Sequence, residues 1–286
     1  MDKQIETRDG LVLRGREWPL EPARGTIVLV HGLGEHVGRY GHVAEFLNAR
    51  GWRVAGFDHR GHGKSDGARG RLADADDLLV DLARAIDAVR AEHPTGPLVL
   101  LGHSLGGLVG ARFVAGALPP AAPWSRPVDA LVLSSPVLAT AMGPLQKAML
   151  AVLGPLTPNL AVGNGLKPEW ISRDPVVVAA YKADPLVHDR IAPRLARFVV
   201  EGGPLVQRAA PSWTVPTLLL YAGADRCVPP SGSAAFAAAA PKDVVTARAF
   251  APLFHEIMNE PERAEVLSAL GDWLDTLPVS PSRSPP

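Results

Sequence analysis

A chain of 286 residues, 47% of them hydrophobic, carries enough apolar surface for one large domain or two small ones and does not have the composition of a disordered protein. Its 29 basic and 29 acidic side chains cancel to zero net charge, which leaves no electrostatic footprint for nucleic acid or for an anionic membrane. A single cysteine, Cys227, rules out an internal disulfide framework; with the polar start Met1-Asp2-Lys3-Gln4 and no long apolar run, the expectation is a cytoplasmic protein without signal peptide or membrane span.

Segments 4–8 and 11–18 flank Asp9-Gly10, a pair that tight turns favour, so an antiparallel hairpin is predicted first. Thr26-Ile27-Val28-Leu29-Val30 is a continuous apolar run, as expected of a central strand covered on both faces, and it leads into His31-Gly32-Leu33-Gly34-Glu35-His36. A helix over about 39–50 follows, with Tyr40, Val43, Phe46 and Leu47 on one face and Gly51 as its stop; 52–57 reads as the next strand. The loop 58–67 is dense in glycine and histidine. His59, His62, Asp58 and Asp66 lack zinc-motif spacing, so a glycine turn tied by local hydrogen bonds is the plainer account. Leu78, Leu79, Leu82, Ile86 and Val89 recur at helical spacing within 72–92.

Leu98-Val99-Leu100-Leu101 is a buried-strand run, and 105–116 reads as a helix. Between them stands Gly102-His103-Ser104-Leu105-Gly106, which fits Gly-x-Ser-x-Gly. A serine on a sharp strand-to-helix turn sits in strained backbone, needs small neighbours, and has the N-terminus of a helix beside its oxygen. Ala130 to Ser134 is a further strand. Strands alternating with helices in this way imply a mostly parallel sheet covered on both faces, with its site at the carboxyl ends of the strands.

From Pro136 to about Pro211 the alternation stops, no clean strand is visible and prolines recur, which points to an inserted helical cap. Met142, Leu145, Met149, Leu150, Leu153 and Leu156 form an apolar stripe there that either lines an acyl-chain tunnel or packs the cap onto the core. The sheet resumes at 216–221. A helix at about 231–240, a strand at 244–250 and an amphipathic helix at 262–277 complete the pattern. The expected organisation is a core of 1–136 and 212–277, a cap of 137–211, and a disordered Pro/Ser-rich tail of 278–286.

A serine hydroxyl needs a base within hydrogen-bond reach, usually a histidine oriented by a carboxylate. Asp225 and His255 follow two late strand runs, in the chain order Ser, Asp, His expected of a nucleophile on this kind of turn. Of the nine histidines, His31, His59, His62 and His103 lie in tight turns suited to structural hydrogen bonding, and His36, His42, His93 and His188 have no strand-end position. The oxyanion of acyl transfer needs two N–H donors, assigned to Leu105 after the nucleophile and Leu33 in the first glycine-rich loop. Cys227 reads as a small packing residue, with a reactive role as the alternative.

The segments 31–40, 58–67 and 102–107, with Ser172-Arg173-Asp174-Pro175 and Asp184-Pro185-Leu186 in the cap, resemble the monoacylglycerol lipase and lysophospholipase group of α/β-hydrolases over about residues 5–275. The resemblance implies an α/β-hydrolase fold that cleaves carboxylic esters of single-chain lipids through an acyl-enzyme on Ser104, His255 and Asp225, with no cofactor and no metal. It also implies a mobile cap over an apolar acyl tunnel, with transient membrane-surface contact through that cap. Glu35 and Arg39 match positions near the departing alcohol, or else form an ion pair that fixes the loop. Leu33 departs from the smaller residue common in the group and is expected to narrow the site. The alternatives are a lysophospholipase or general carboxylesterase with the same triad, and a non-catalytic binding protein on the same fold.

Overall fold

The structure is a computed structural model that describes residues 1–278. The predicted tail therefore lies, apart from Pro278, outside the described residues. Among the described residues ten strands are formed: β1 (Asp2–Glu6), β2 (Val12–Trp18), β3 (Gly25–Val30), β4 (Trp52–Phe57), β5 (Leu98–His103), β6 (Ala130–Ser134), β7 (Val162–Gly163), β8 (Arg190–Ile191), β9 (Thr217–Ala222) and β10 (Val245–Phe250). Eight of them make one sheet in the order β1-β2-β4-β3-β5-β6-β9-β10. The pairs β1–β2 and β2–β4 are antiparallel and every later pair is parallel. Because β3 and β5 are neighbours while the chain between them visits β4, the order reverses there, and crevices form at the carboxyl edge of such switch points.

The central strands are apolar on both faces and side chains alternate between them. Val28, Val30, Leu98 and Leu100 join the core on one face, with α2 (Asp77–Glu92), α3 (Leu105–Ala115) and α7 (Pro230–Ala239); Ile27, Leu29, Val99 and Leu101 join the other, with α1 (Gly41–Ala49) and α8 (Arg263–Asp275). On the first face Phe236 meets Trp213 edge to face at 5.0 Å, and the indole Nε1–H donates to Thr217 Oγ1 at 2.8 Å.

The predicted hairpin forms, its turn closed by Gly10 N–H to the Thr7 carbonyl at 3.2 Å and Thr7 N–H to the Leu11 carbonyl at 2.8 Å, with Gly10 at φ 83°. Asp9 in that turn accepts from Arg60 Nη1 and Nη2 at 3.0 and 3.1 Å. One boundary differs from expectation. The helix expected from 72 begins at Asp77, because the Asp77 carboxylate accepts the N–H groups of Ala73 and Asp74, each at 2.8 Å, and winds them into a preceding turn. Arg60 itself is buried between Asp77 and Asp81, with a forked contact to Asp81 at 2.6 and 2.8 Å.

Between β6 and β9 the chain leaves the sheet and forms α4 (Pro144–Leu153), α5 (Pro175–Ala183), α6 (Pro193–Ala209) and the two-residue ribbon of β7 with β8, which the sequence did not reveal. Several of the recurring prolines stand in the first turn of these helices, where the missing N–H costs nothing. Of the predicted stripe, Leu145, Met149 and Leu156 are 74, 52 and 76% exposed and take neither role, Met142 and Leu150 are half-buried, and the side chain of Leu153 lies outside the described residues; Val152 of α4 also faces outward at 67% exposed.

Candidate active site

Ser104 sits between the end of β5 and the start of α3 at φ 52° and ψ −115°, one of two non-glycine residues at positive φ among those described. Two flanking glycines make that turn possible. A Cβ on Gly106 would lie 2.0 Å from the Val30 carbonyl oxygen, and one on Gly102 would lie 2.4 Å from the Gly106 oxygen. Strand, turn and helix therefore touch backbone to backbone, and Ser104 is held at the carboxyl edge of the sheet.

β9 ends just before Asp225 and β10 just before His255, which brings both to the same edge. The Ser104 hydroxyl lies 2.8 Å from His255 Nε2, and His255 Nδ1 lies 2.7 Å from Asp225 Oδ2. Asp225 Oδ1 accepts the N–H groups of Cys227 and Val228 at 2.8 and 2.9 Å, so the carboxylate cannot rotate freely. Burial alone would lower the pKa of His255, but the Asp225 carboxylate, then Glu256 and Glu35, raise it above the usual histidine value. The arrangement can move a proton from the serine to an imidazole whose charged form is stabilised.

The loop after β3 holds the remaining parts. Glu35 Oε1 accepts from Gly32 N–H and from the Tyr40 hydroxyl, each at 2.6 Å, and Oε2 accepts from Arg39 Nη1 at 2.7 Å. Burial pushes the Glu35 pKa up, yet Arg39 and the nearby histidines hold it well below the usual range, so it is ionised. Arg39 also makes a forked contact with Glu256 at 2.7 and 2.7 Å and lies over the Tyr181 ring at 4.8 Å. Glu35 and Arg39 are thus an ion pair that fixes the loop, while Glu35 also lines the cavity beside Ser104. With Gly32 N–H engaged, Leu33 N–H has no acceptor among the described residues; Leu105 N–H belongs to the first turn of α3, which helix geometry leaves open.

Loop 58–67 is a scaffold. Asp58 accepts the N–H groups of Val37 and Lys64 at 2.8 and 2.8 Å, and Asp66 accepts that of Val12 at 2.9 Å. His31 Nε2 accepts from His59 N–H at 2.9 Å, which assigns the proton to Nδ1, and burial lowers the His31 pKa to about 4. His103 is likewise pushed down to about 4 by burial and by His255. These turn histidines are neutral hydrogen-bonding groups.

The cap closes over Ser104 and leaves a cavity of about 430 Å³, with an apolar wall of Leu33, Leu166, Pro168, Ile171 and Val187. Both cap segments singled out in the sequence tie it to the catalytic loops. Ser172 Oγ–H and Arg173 N–H donate to the buried Glu260 at 2.7 and 2.6 Å, and Glu260 also accepts from Phe254 N–H at 2.9 Å, next to His255. Asp184 bonds His36 at 2.8 Å, His188 N–H donates to the Gly34 carbonyl at 2.9 Å, and Glu256 N–H donates to the Ile171 carbonyl at 2.8 Å. Among the described residues, two groups bring potential metal-ligating atoms within 4.8 Å of one another. One is Asp225, Cys227 and His255, where Asp225 and His255 are hydrogen-bonded to each other; the other is Glu17, Glu92 and His93, where Lys3 already bridges the two carboxylates. Burial, then Asp225 and Glu256, push the Cys227 thiol up, so it is not a thiolate. Sequence reasoning missed Glu256. No local signal marks it, because its partner Arg39 lies 217 positions away in the chain.

A family model described as serine aminopeptidase, S33 matches residues 21–262. A monoacylglycerol lipase of Mycolicibacterium smegmatis is 39% identical over 88% of each chain, and a monoglyceride lipase of Rattus norvegicus is 30% identical over 93% of this chain and 88% of that one. The crystal structure of a Paleococcus ferrophilus monoacylglycerol lipase, 37% identical, superposes with a TM-score of 0.82 over 93% of this chain and 99% of that one. With the Gly-x-Ser-x-Gly turn between β5 and α3 and the cap inserted after β6, the chain belongs to the serine aminopeptidase S33 family of α/β-hydrolases and is a hydrolase.

Proposed function

We propose that the protein hydrolyses carboxylic esters of single-chain lipids, above all monoacylglycerol to fatty acid and glycerol, with Ser104 as nucleophile, His255 as base and then acid, and Asp225 as its orienter. The observation that carries this reading is the unbroken chain from Ser104 through His255 to Asp225, opening into a cavity whose far wall is apolar. His255 takes the serine proton as the hydroxyl attacks the ester carbonyl. The N–H groups of Leu33 and Leu105 receive the oxyanion, and the imidazolium returns its proton to the departing alcohol. Water then repeats the sequence on the acyl-enzyme and releases the acid. The named relatives and the apolar wall favour a fatty acyl group.

The same reading includes a transient contact of the cap with a lipid surface, supported by the outward apolar side chains of α4. A cytoplasmic setting belongs to it as well; the one cysteine asks for no oxidising compartment. The test is turnover of 1-monoacylglycerols of graded chain length, a lysophospholipid and a short p-nitrophenyl ester by wild type and Ser104→Ala. Serine-dependent turnover that peaks on a monoacylglycerol is expected, with a loss of at least about 10³-fold in the variant. Turnover of the short ester alone would assign a general esterase, and no serine-dependent turnover would refute the mechanism.

A further inference from the structure

We propose that Glu256 makes the alcohol side of the site selective against anionic headgroups, so that neutral or cationic esters are accepted and phosphate-bearing ones rejected. This rests on the ester-hydrolase reading above. Two buried carboxylates, Glu35 and Glu256, face the cavity beside Ser104, and they share one cation, Arg39. Its single charge is shared: Nη1 and Nη2 bind Glu256, Nη1 also binds Glu35, and its face lies against Tyr181. An incoming phosphate meets a guanidinium whose one positive charge already serves two carboxylates, which leaves one negative charge in excess. The cavity is also lined by Asp184 and Asp189 and by Lys167 and Lys182, two charges of each sign, so the surplus from Glu35 and Glu256 over Arg39 stands.

Of the two carboxylates, Glu256 is the one that sets charge without setting shape. Glu35 holds the backbone of Gly32, whereas the Glu256 carboxylate accepts only from side chains, those of Arg39 and Asn259. Glu256 is also, after Asp225, a principal carboxylate that favours the protonated form of His255. Removing its charge therefore moves two independent readouts, headgroup preference and the acid limb of the pH profile.

The experiment compares a chain-matched pair, a 1-monoacylglycerol and the corresponding 1-acylglycerol 3-phosphate, with wild type, Glu256→Gln and the charge-retaining Glu256→Asp. Wild type is expected to favour the neutral ester. Glu256→Gln is expected to narrow the ratio of the two kcat/KM values by on the order of tenfold, the effect of one charge several ångströms away at partly buried dielectric, and to shift the acid limb to lower pH. Glu256→Asp should keep the ratio. Equal turnover of both esters by wild type overturns the proposal whatever the variants do. So does a Glu256→Gln ratio and acid limb unchanged from wild type. If neither ester is turned over by wild type, the ester-lipase reading itself fails; if the neutral one is, and the ratio does not move, only the present proposal fails.

Discussion

Replacing Asp225 with asparagine tests the proton relay with little change of shape. In wild type, Asp225 Oδ1 is fixed by the N–H groups of Cys227 and Val228, and Oδ2 faces His255 Nδ1 at 2.7 Å. The asparagine oxygen takes the two backbone donors, which leaves its NH₂ pointing at Nδ1. Nδ1 must then accept, the ring proton moves to Nε2, and His255 can no longer accept from Ser104. Flipping the amide would restore the tautomer but would set the NH₂ against two backbone donors, at about 1–3 kcal/mol each. The productive rotamer is thus disfavoured by roughly 2–6 kcal/mol, and kcat/KM should fall by about 30-fold to 10⁴-fold. The assay is steady-state hydrolysis of a p-nitrophenyl ester and of a monoacylglycerol, with thermal unfolding as the control for folding. A folded Asp225→Asn enzyme that keeps more than a third of wild-type kcat/KM would refute the argument, since no tautomer block of this kind could exist.

The acid limb of kcat/KM should report an apparent pKa above the ordinary histidine value: a raised His255 must still be neutral to act, so activity is lost as pH falls through that raised value, and a profile reporting a value below it contradicts the site electrostatics. Arg60→Met leaves the buried carboxylate of Asp81 without its cation and Asp77 with Arg8 alone, at 3.4 Å, and should destabilise the fold by about 3–5 kcal/mol, read as a lower midpoint in urea unfolding. Phe236→Ala removes the ring packed on Trp213 and should cost about 3–5 kcal/mol in the same experiment, with little change in kcat of the remaining folded enzyme.

What could be read from the residues depended on how local its cause was. Gly102-His103-Ser104-Leu105-Gly106 was legible because the turn demands small residues at fixed spacing, and β3, β5 and β9 because strands covered on both faces read as unbroken apolar runs. Asp225 and His255 were found by their places after strand runs, which is also a local signal. Glu256 was not found: its meaning depends on a partner at Arg39, far away in the chain. The α4 stripe misled for a similar reason. Helical spacing shows that apolar residues share a face, but which way that face turns is decided by how α4 sits on α6, and it turns mostly outward. The start of α2 was displaced by Asp77, whose carboxylate takes the N–H groups of Ala73 and Asp74 while also facing Arg60, a partner from a distant loop.

Two of the seams between cap and core, Glu256 N–H to Ile171 carbonyl and His188 N–H to Gly34 carbonyl, are made by main chain on both sides. A main-chain seam is indifferent to the side chain that carries it. Side chains of the cap that make none of the bonds to the core, those of the cavity wall at Leu166 and Val187 among them, are therefore free to change the choice of acyl group while these two seams hold the cap's register over the serine. Evolution of new substrate range and preservation of catalytic alignment are thereby separated within one insertion, and exchanging cap segments between relatives at these two seams is the natural place to begin redesign.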